Sequence, residues 1–247
     1  MTKEIVSQRI VLVTGASRGI GRALAFRFAE EGDAVVVNYL KNESAAAKTV
    51  KEIEKNGGKA RAVRADVADP SAVASMSRDI LEKEKSIDVL INNAGICANT
   101  TLLKMEEADW DSVVKTDLNS AFYTIRAFSK AMMMRKSGSV INIASISGLK
   151  GAHGSGNYAA AKGGLIALTK SAAIELGRFG ICVNAVCPGF HLTDMGRHAT
   201  DRYIEETKKA SVLGLTTDIN ELADFVYMLS LSKTVSGQVF NWDSRII

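Results

Sequence analysis

Arg9-Ile10-Val11-Leu12-Val13-Thr14-Gly15-Ala16-Ser17-Arg18-Gly19-Ile20-Gly21 decides how the rest of this chain reads. A short β-branched run ends in a glycine-rich turn, and residues 22–31 continue with helical period until Gly32. At a strand-to-helix junction, glycines let the backbone turn tightly and approach a pyrophosphate. The helix N-terminus then offers N–H donors and the positive end of its dipole. A plain glycine-rich turn would need none of this, but a strand before and a helix after favour a nucleotide site. The spacing is G-x-x-x-G-x-G rather than the usual G-x-G-x-x-G.

The same alternation continues outward from that turn. Apolar strand-like runs recur at 34–39, 59–65, 87–92, 139–144 and 181–186, with a short last one at 238–241. Helical stretches lie between them. One covers 44–55 and stops at Gly57-Gly58; another opens at Asp69-Pro70, with Asp as N-cap and Pro at the first helical position. A long helical region spans 106–136 and is expected to break near Trp110. Further helices are expected from Tyr158 to about 179 and over 220–231. The segment after Pro188-Gly189 reads as polar and irregular. Strands apolar on both faces, alternating with helices, predict a parallel sheet covered on both sides. With no linker, low-complexity segment or repeat, the expectation is one α/β, doubly wound domain over residues 1–247.

Composition narrows the class. The 247 residues are 47% hydrophobic and 23% charged, enough for a sizeable core, and the net charge of +4 comes with no basic block that would suggest nucleic acid. Cys97, Cys182 and Cys187 show no paired-ligand spacing and sit in apolar or glycine-rich surroundings, so buried free thiols are expected. His153, His191 and His198 form no metal pattern, so no metal is expected. The first residues, Met1-Thr2-Lys3-Glu4-Ile5-Val6-Ser7, hold no apolar h-region or cleavage site, and no run is long enough to span a bilayer. A cytoplasmic protein without membrane or nucleic-acid partners is expected.

Asn157-Tyr158-Ala159-Ala160-Ala161-Lys162 carries a second signal. At the start of a helix, positions i and i+4 share a face, which sets a phenol beside an ammonium. A phenol ionises near pH 10, and a neighbouring cation favours the phenolate. Tyr-x-x-x-Lys is thus a proton donor with its tuner alongside. Alone, such a pair usually marks only a surface contact.

Thr14-Gly15-x-x-x-Gly19-x-Gly21, Asn92-Asn93-Ala94-Gly95, Ser145, Tyr158-x-x-x-Lys162 and Pro188-Gly189 occur in the order typical of one family. From about residue 8 to 240 the chain resembles the short-chain dehydrogenase/reductase family. Within it, Asn157–Lys162 and Asn184-Ala185-Val186-Cys187-Pro188-Gly189-Phe190 are most similar to the 3-oxoacyl-acyl-carrier-protein reductases. The resemblance implies a Rossmann-type fold. It also implies cofactor contacts from Gly15, Ser17, Arg18, Gly19, Ile20, Gly21, Asp66, Val67, Asn93, Tyr158, Lys162, Pro188 and Gly189, with Asp66-Val67 flanking adenine and Asn93 along the adenosine ribose. A carboxylate about 20 residues past the glycines would bind the ribose 2′-OH and repel a 2′-phosphate. Asn38 stands at that place, with Arg18 and Lys41 nearby, so NADP(H) is favoured over NAD. The alternative is that both cations simply face solvent.

For catalysis, Tyr158 would protonate the oxygen of a reduced ketone, Ser145 would hydrogen-bond that oxygen, and Lys162 would tune Tyr158 and bind the nicotinamide ribose. Ser145 could otherwise be a turn residue at a strand end; its interval of 13 residues from Tyr158 matches the family. One departure stands out. Asp117 occupies the position at which many relatives carry an asparagine whose backbone carbonyl joins a proton relay. A carboxylate there would strengthen the Lys162 ammonium and lessen its pull on the phenolate, shifting the pH optimum.

The substrate is less constrained. The favoured class is a 3-oxoacyl thioester, with acyl carrier protein as a possible partner. Lys136 matches one carrier-facing basic position, while Phe179 replaces the other, with Arg178 alongside. The residues Asn241-Trp242-Asp243 stand where the family often has Asp-Gly-Gly. Another ketone or secondary alcohol is the alternative, and a non-catalytic nucleotide sensor or scaffold is an alternative of another class. The resemblance further implies a homotetramer built through the helices after Trp110 and Tyr158. Ala159-Ala160-Ala161 and Ala172-Ala173 would permit close helix packing, or could equally face the sheet.

Overall fold

Consecutive residues of a β-strand point to opposite faces, so a run such as Ile10-Val11-Leu12-Val13 must feed two cores at once. The computed structural model, which describes residues 8–191 and 201–246, shows this directly. The stretch 1–7 and His198 lie outside them. Val11 and Val13 pack into one cluster with Val35, Val37, Val89 and Ile91. Leu12, Val36 and Leu90 pack into a second cluster on the other face. Each fully buried side chain of this size contributes about 1.5–3 kcal/mol relative to exposure.

In chain order the elements are β1 (Ile10–Val13), α1 (Gly19–Glu30), β2 (Ala34–Tyr39), α2 (Glu43–Lys55), β3 (Lys59–Arg64), α3 (Pro70–Glu84) and β4 (Val89–Asn92). Then come α4 (Glu107–Val114), α5 (Ser120–Arg135), β5 (Gly138–Ile143), α6 (Ser147–Lys150) and α7 (Gly156–Gly177). The described chain closes with β6 (Ile181–Pro188), α8 (Asp201–Ala210), α9 (Ile219–Leu231) and β7 (Val239–Trp242). Seven strands form one sheet in the order β3-β2-β1-β4-β5-β6-β7, and every pairing is parallel. Buried side chains of α1, α2 and α9 complete one cluster. Those of α3, α5 and α7 complete the other. This is the doubly wound Rossmann-type architecture. Its order reverses direction between β1 and β4, where a crevice opens at the carboxyl ends of the strands.

Several local expectations are corrected. The region 106–136 does not break at Trp110, which lies inside α4. Its irregularity is a single π turn, Lys115–Asn119, that joins α4 directly to α5. The segment after β6 is not irregular as far as residue 219, because α8 occupies Asp201–Ala210. Ala172 and Ala173 face the sheet as members of the second core, whereas Ala160 is exposed. Cys182 and Cys187 are buried, but Cys97 is exposed.

A buried polar ladder runs from strand to strand on the α5 and α7 face of the sheet. Thr124 on α5 donates to Asn92 Oδ1 at 2.6 Å, Asn92 Nδ2 donates to Asn142 Oδ1 at 2.8 Å, and Asn142 Nδ2 donates to Thr169 on α7 at 2.9 Å. All four side chains are buried, and each finds a partner. The ladder therefore fixes how α5, β4, β5 and α7 sit relative to one another.

Candidate active site

The glycine turn after β1 is built as a cradle for an anion. Gly15 and Gly19 have φ of +63° and +56°, a region costly for other residues. Gly21 is needed for space, since a Cβ there would lie 2.4 Å from Asn93 Nδ2 and 2.6 Å from the Gly15 carbonyl oxygen. The N-cap of α1, Arg18, makes no side-chain capping bond, and the first turn holds no acidic residue. The first turn of α1 therefore keeps the positive end of its dipole uncompensated by any acidic side chain of its own, which suits a pyrophosphate. Ser17 and Ile20 complete the turn, with Ile20 packed onto the first core cluster.

Asn93 clamps this turn from β4. Its Nδ2 donates to the Thr14 carbonyl at 2.8 Å, while Thr14 Oγ1 accepts the main-chain N–H groups of Asn93 and Ala94 at 2.9 and 3.0 Å. Asn38 departs from its expected place. It is 2% exposed and turned inward: Oδ1 accepts the Gly15 N–H at 3.3 Å, and Nδ2 donates to the Ala65 carbonyl at 3.1 Å. It shapes the glycine turn rather than lining a ribose pocket. The outward positions past β2 are Leu40, Lys41 and Asn42, all exposed and none acidic. Beyond β3, Asp66 accepts the Ala68 N–H at 2.9 Å, and Val67 is buried in the second cluster.

Ser145, Tyr158 and Lys162 converge where β5 meets α7. Ser145 follows the end of β5, and its Oγ accepts the Ser147 N–H at 3.1 Å, which starts α6. That short helix lies so close to α7 that a Cβ on Gly148 would come within 2.6 Å of the Lys162 carbonyl carbon. Tyr158 lies in the first turn of α7, near enough to the Ser145 hydroxyl for that group to favour the phenolate. Asn157, fully buried, holds this helix start: its Oδ1 accepts the Tyr158 N–H at 2.8 Å and its Nδ2 donates to the Ala98 carbonyl at 3.1 Å. Lys162 Nζ donates to the Ile143 carbonyl at 3.0 Å and lies 5.5 Å from the Tyr158 ring centroid.

Asp117 joins this group from the π turn. Its Oδ2 is 3.1 Å from Lys162 Nζ, and its Oδ1 accepts the Ile96 N–H at 2.8 Å. Oδ2 has no aligned hydrogen-bond donor among the described residues, so the contact with Lys162 is an ion pair set by distance. Burial pushes the Asp117 carboxyl above its ordinary range, with the Lys162 charge opposing. Burial disfavours the Lys162 ammonium, yet Asp117 and Tyr158 more than compensate and leave it above its ordinary value. Burial also raises the Tyr158 phenol; Lys162 and Ser145 pull it down, while Cys97 and Asp117 push it up.

At the far wall, Gly189 donates its N–H to the Trp242 carbonyl at 2.9 Å, and a Cβ there would collide with Thr217. His191 is 8% exposed, its Nδ1 is 3.0 Å from the Thr217 carbonyl, and burial lowers its pKa, so it stays neutral. His153 is exposed. Among the described residues, no group of three or more His, Cys, Asp and Glu side chains could hold a metal ion. No described helix is long and apolar enough to cross a membrane. Lys136 and Arg178 sit where β5 and β6 begin, at the opposite end of the sheet from Tyr158.

Sequence reasoning quoted Asn157 and Gly95 only as members of motifs, without a role, and passed over Gly148. Their roles are non-local contacts with residues 98, 162 and 117, and spacing along the chain does not reveal these.

The chain as a whole is similar to known proteins. The chain is 41% identical over 242 residues to the 3-oxoacyl-[acyl-carrier-protein] reductase of Synechocystis sp., covering 98% of each. It is 40% identical over 232 residues to the protein of that name from Staphylococcus aureus, covering 93% of this chain and 94% of the relative. A crystal structure assigned as a gluconate dehydrogenase from Agrobacterium tumefaciens superposes with a TM-score of 0.92 at 34% identity, covering 96% of this chain and 94% of the other. The short chain dehydrogenase family model matches residues 9–204, and with these relatives it establishes that the chain belongs to the short chain dehydrogenase family.

Proposed function

We propose that this protein is an NADPH-dependent reductase of 3-oxoacyl thioesters, and that Tyr158 supplies the proton. The observation that carries this is the grouping of Ser145, Tyr158 and Lys162 at the carboxyl end of the sheet, beside an uncapped helix N-terminus. Relatives covering nearly the whole chain bear the name 3-oxoacyl-[acyl-carrier-protein] reductase, which supports the substrate class.

When bound, the nicotinamide cofactor supplies a hydride to the substrate carbonyl carbon. Ser145 donates a hydrogen bond to the carbonyl oxygen as negative charge builds there. Tyr158 then gives its proton to that oxygen, and Lys162 stabilises the phenolate left behind. Gly15, Ser17, Gly19, Ile20 and Gly21 cradle the pyrophosphate, and Asp66, Val67, Asn93, Pro188 and Gly189 wall the cofactor cleft. Arg18 and Lys41 favour a 2′-phosphate, since the three exposed positions directly past β2, Leu40, Lys41 and Asn42, carry no carboxylate to repel it.

An acyl carrier protein held by Lys136 and Arg178 would be far from the Tyr158 of the same chain, because Arg178 caps the end of α7, roughly 30 Å along the helix from residue 158. A carrier docked there would serve the site of a neighbouring subunit. A homotetramer accords with this, as do the exposed apolar side chains of Phe122 and Met134 on α5 and Ile174 on α7. The proposal is tested by following NADPH oxidation with acetoacetyl-CoA and with a panel of ketones, and repeating each with NADH. Turnover of simple ketones but not of the thioester would sink the substrate assignment, and equal rates with NADH would sink the cofactor preference.

A further inference from the structure

Three separate restraints hold the Asp117 carboxylate in the catalytic cluster. Its Oδ1 is fixed by the Ile96 N–H at 2.8 Å, and its Oδ2 lies 3.1 Å from Lys162 Nζ. Space for it exists only because residue 95 is glycine, since a Cβ there would sit 2.6 Å from Oδ2. The carboxylate side chain is 0% exposed and the lysine side chain 4%, so water screens neither charge.

Lys162 thus divides its charge among the Ile143 carbonyl at 3.0 Å, the Asp117 carboxylate at 3.1 Å and the Tyr158 ring, whose centroid is 5.5 Å away. Among the described residues, the other titratable groups facing the cluster are thiols. Cys97 comes from the loop after β4; the residue is exposed, but its thiol is partly desolvated beside Asp117, and both raise its pKa. Cys187 lies beneath Ser145 on β6, pushed by burial up to about 11. Both are neutral thiols at neutral pH, so Asp117 carries the negative charge that opposes a phenolate at Tyr158. A neutral amide at 117 would keep the Ile96 contact through its carbonyl oxygen and leave the ammonium's field to the phenol.

We propose that Asp117 is a positioning residue that competes with Tyr158 for the Lys162 ammonium, and so holds the tyrosine as the phenol, the form that protonates a reduced carbonyl. This rests on the assignment of Tyr158 as proton donor. In consequence the site is biased toward carbonyl reduction, and alcohol oxidation, which needs the phenolate, is displaced to alkaline pH.

The test is a pH titration of tyrosinate absorbance in the nucleotide-free protein, comparing wild type with Asp117→Asn. The chain has five tyrosines, so Tyr158 is isolated by subtracting the same titration of Tyr158→Phe in each background. In Asp117→Asn, Tyr158 is expected to ionise at lower pH than in wild type. With substrates and nucleotides saturating, the ratio of kcat for oxidation to kcat for reduction at neutral pH should rise on the order of 3- to 10-fold. A Tyr158 titration that stays put or moves upward overturns the proposal. Asp117→Ser, which also removes the charge, gives the same comparison if the asparagine variant does not fold. If Tyr158→Phe keeps the wild-type reduction rate, the proton-donor assignment fails, and the titration still decides whether Asp117 governs this tyrosine.

Discussion

Gly148 lies against Gly163 where α6 crosses α7, and a methyl group on Gly148 would stand 2.7 Å from the Gly163 nitrogen. That contact is what brings the Ser145 turn up against the helix bearing Tyr158 and Lys162. Its neighbours are backbone atoms, which cannot swing aside.

Gly148→Ala should therefore push the two helices apart, cost about 1–3 kcal/mol and lower kcat. Gly177→Ala, at the end of the same helix with nothing within 4 Å of the new methyl, serves as control. Denaturant unfolding of both variants checks this. Equal stability of the two would show that the crossing is looser than described.

Tyr158→Phe removes the proposed proton donor while keeping the ring. A fall in kcat of about 10²–10⁴ is expected, the range for losing a positioned general acid. NADPH binding, followed by nucleotide fluorescence, should persist, because the glycine cradle is untouched.

Burial holds the Tyr158 phenol above its ordinary value despite Lys162. Reduction uses the protonated form, so its rate should stay flat through neutral pH and decline only as the phenol ionises in alkali. Oxidation of the corresponding alcohol uses the phenolate and should rise over the same alkaline range. Rates measured in both directions across that range check the opposite signs.

Much of this site was legible because its signals are local. The glycines fall between a strand and a helix, and Tyr158 and Lys162 share a helix face four residues apart. Asn38 was placed wrongly because both faces of β2 are buried, so no polar alternation tells which way a side chain turns. The π turn at 115–119 has no compositional mark, and the expected break fell instead on Trp110. The segment Asp201–Ala210 is so polar that it read as irregular, though it forms α8. Asp117 was visible as an oddity in sequence; its three restraints come from residues 95, 96 and 162, and only folding brings those together.

Arg18→Ala and Lys41→Ala should each raise the KM for NADPH, together by roughly tenfold, the scale of one charge-assisted hydrogen bond. The KM for NADH should barely move. Steady-state kinetics with both nucleotides separates this from a general loss of binding, in which both would rise together.

Thr124→Val tests the ladder across the sheet. It deletes the donor to Asn92 Oδ1 and leaves that buried oxygen without its 2.6 Å partner. A loss of about 1–3 kcal/mol is expected in thermal or denaturant unfolding.

The π turn at Lys115–Asn119 also bears on which genetic changes this chain can tolerate. A π turn holds one residue more than the regular helical path needs. Deleting a single codon there would therefore restore an ordinary helix and look conservative on paper. The helices on either side would keep their places, and the residues inside the turn would shift by about 100° relative to them. Asp117 would swing away from Lys162, while Thr124, beyond the turn, stayed beside Asn92. Substitutions in this turn alter one side chain at a time, whereas a one-residue deletion takes the carboxylate out of the catalytic cluster.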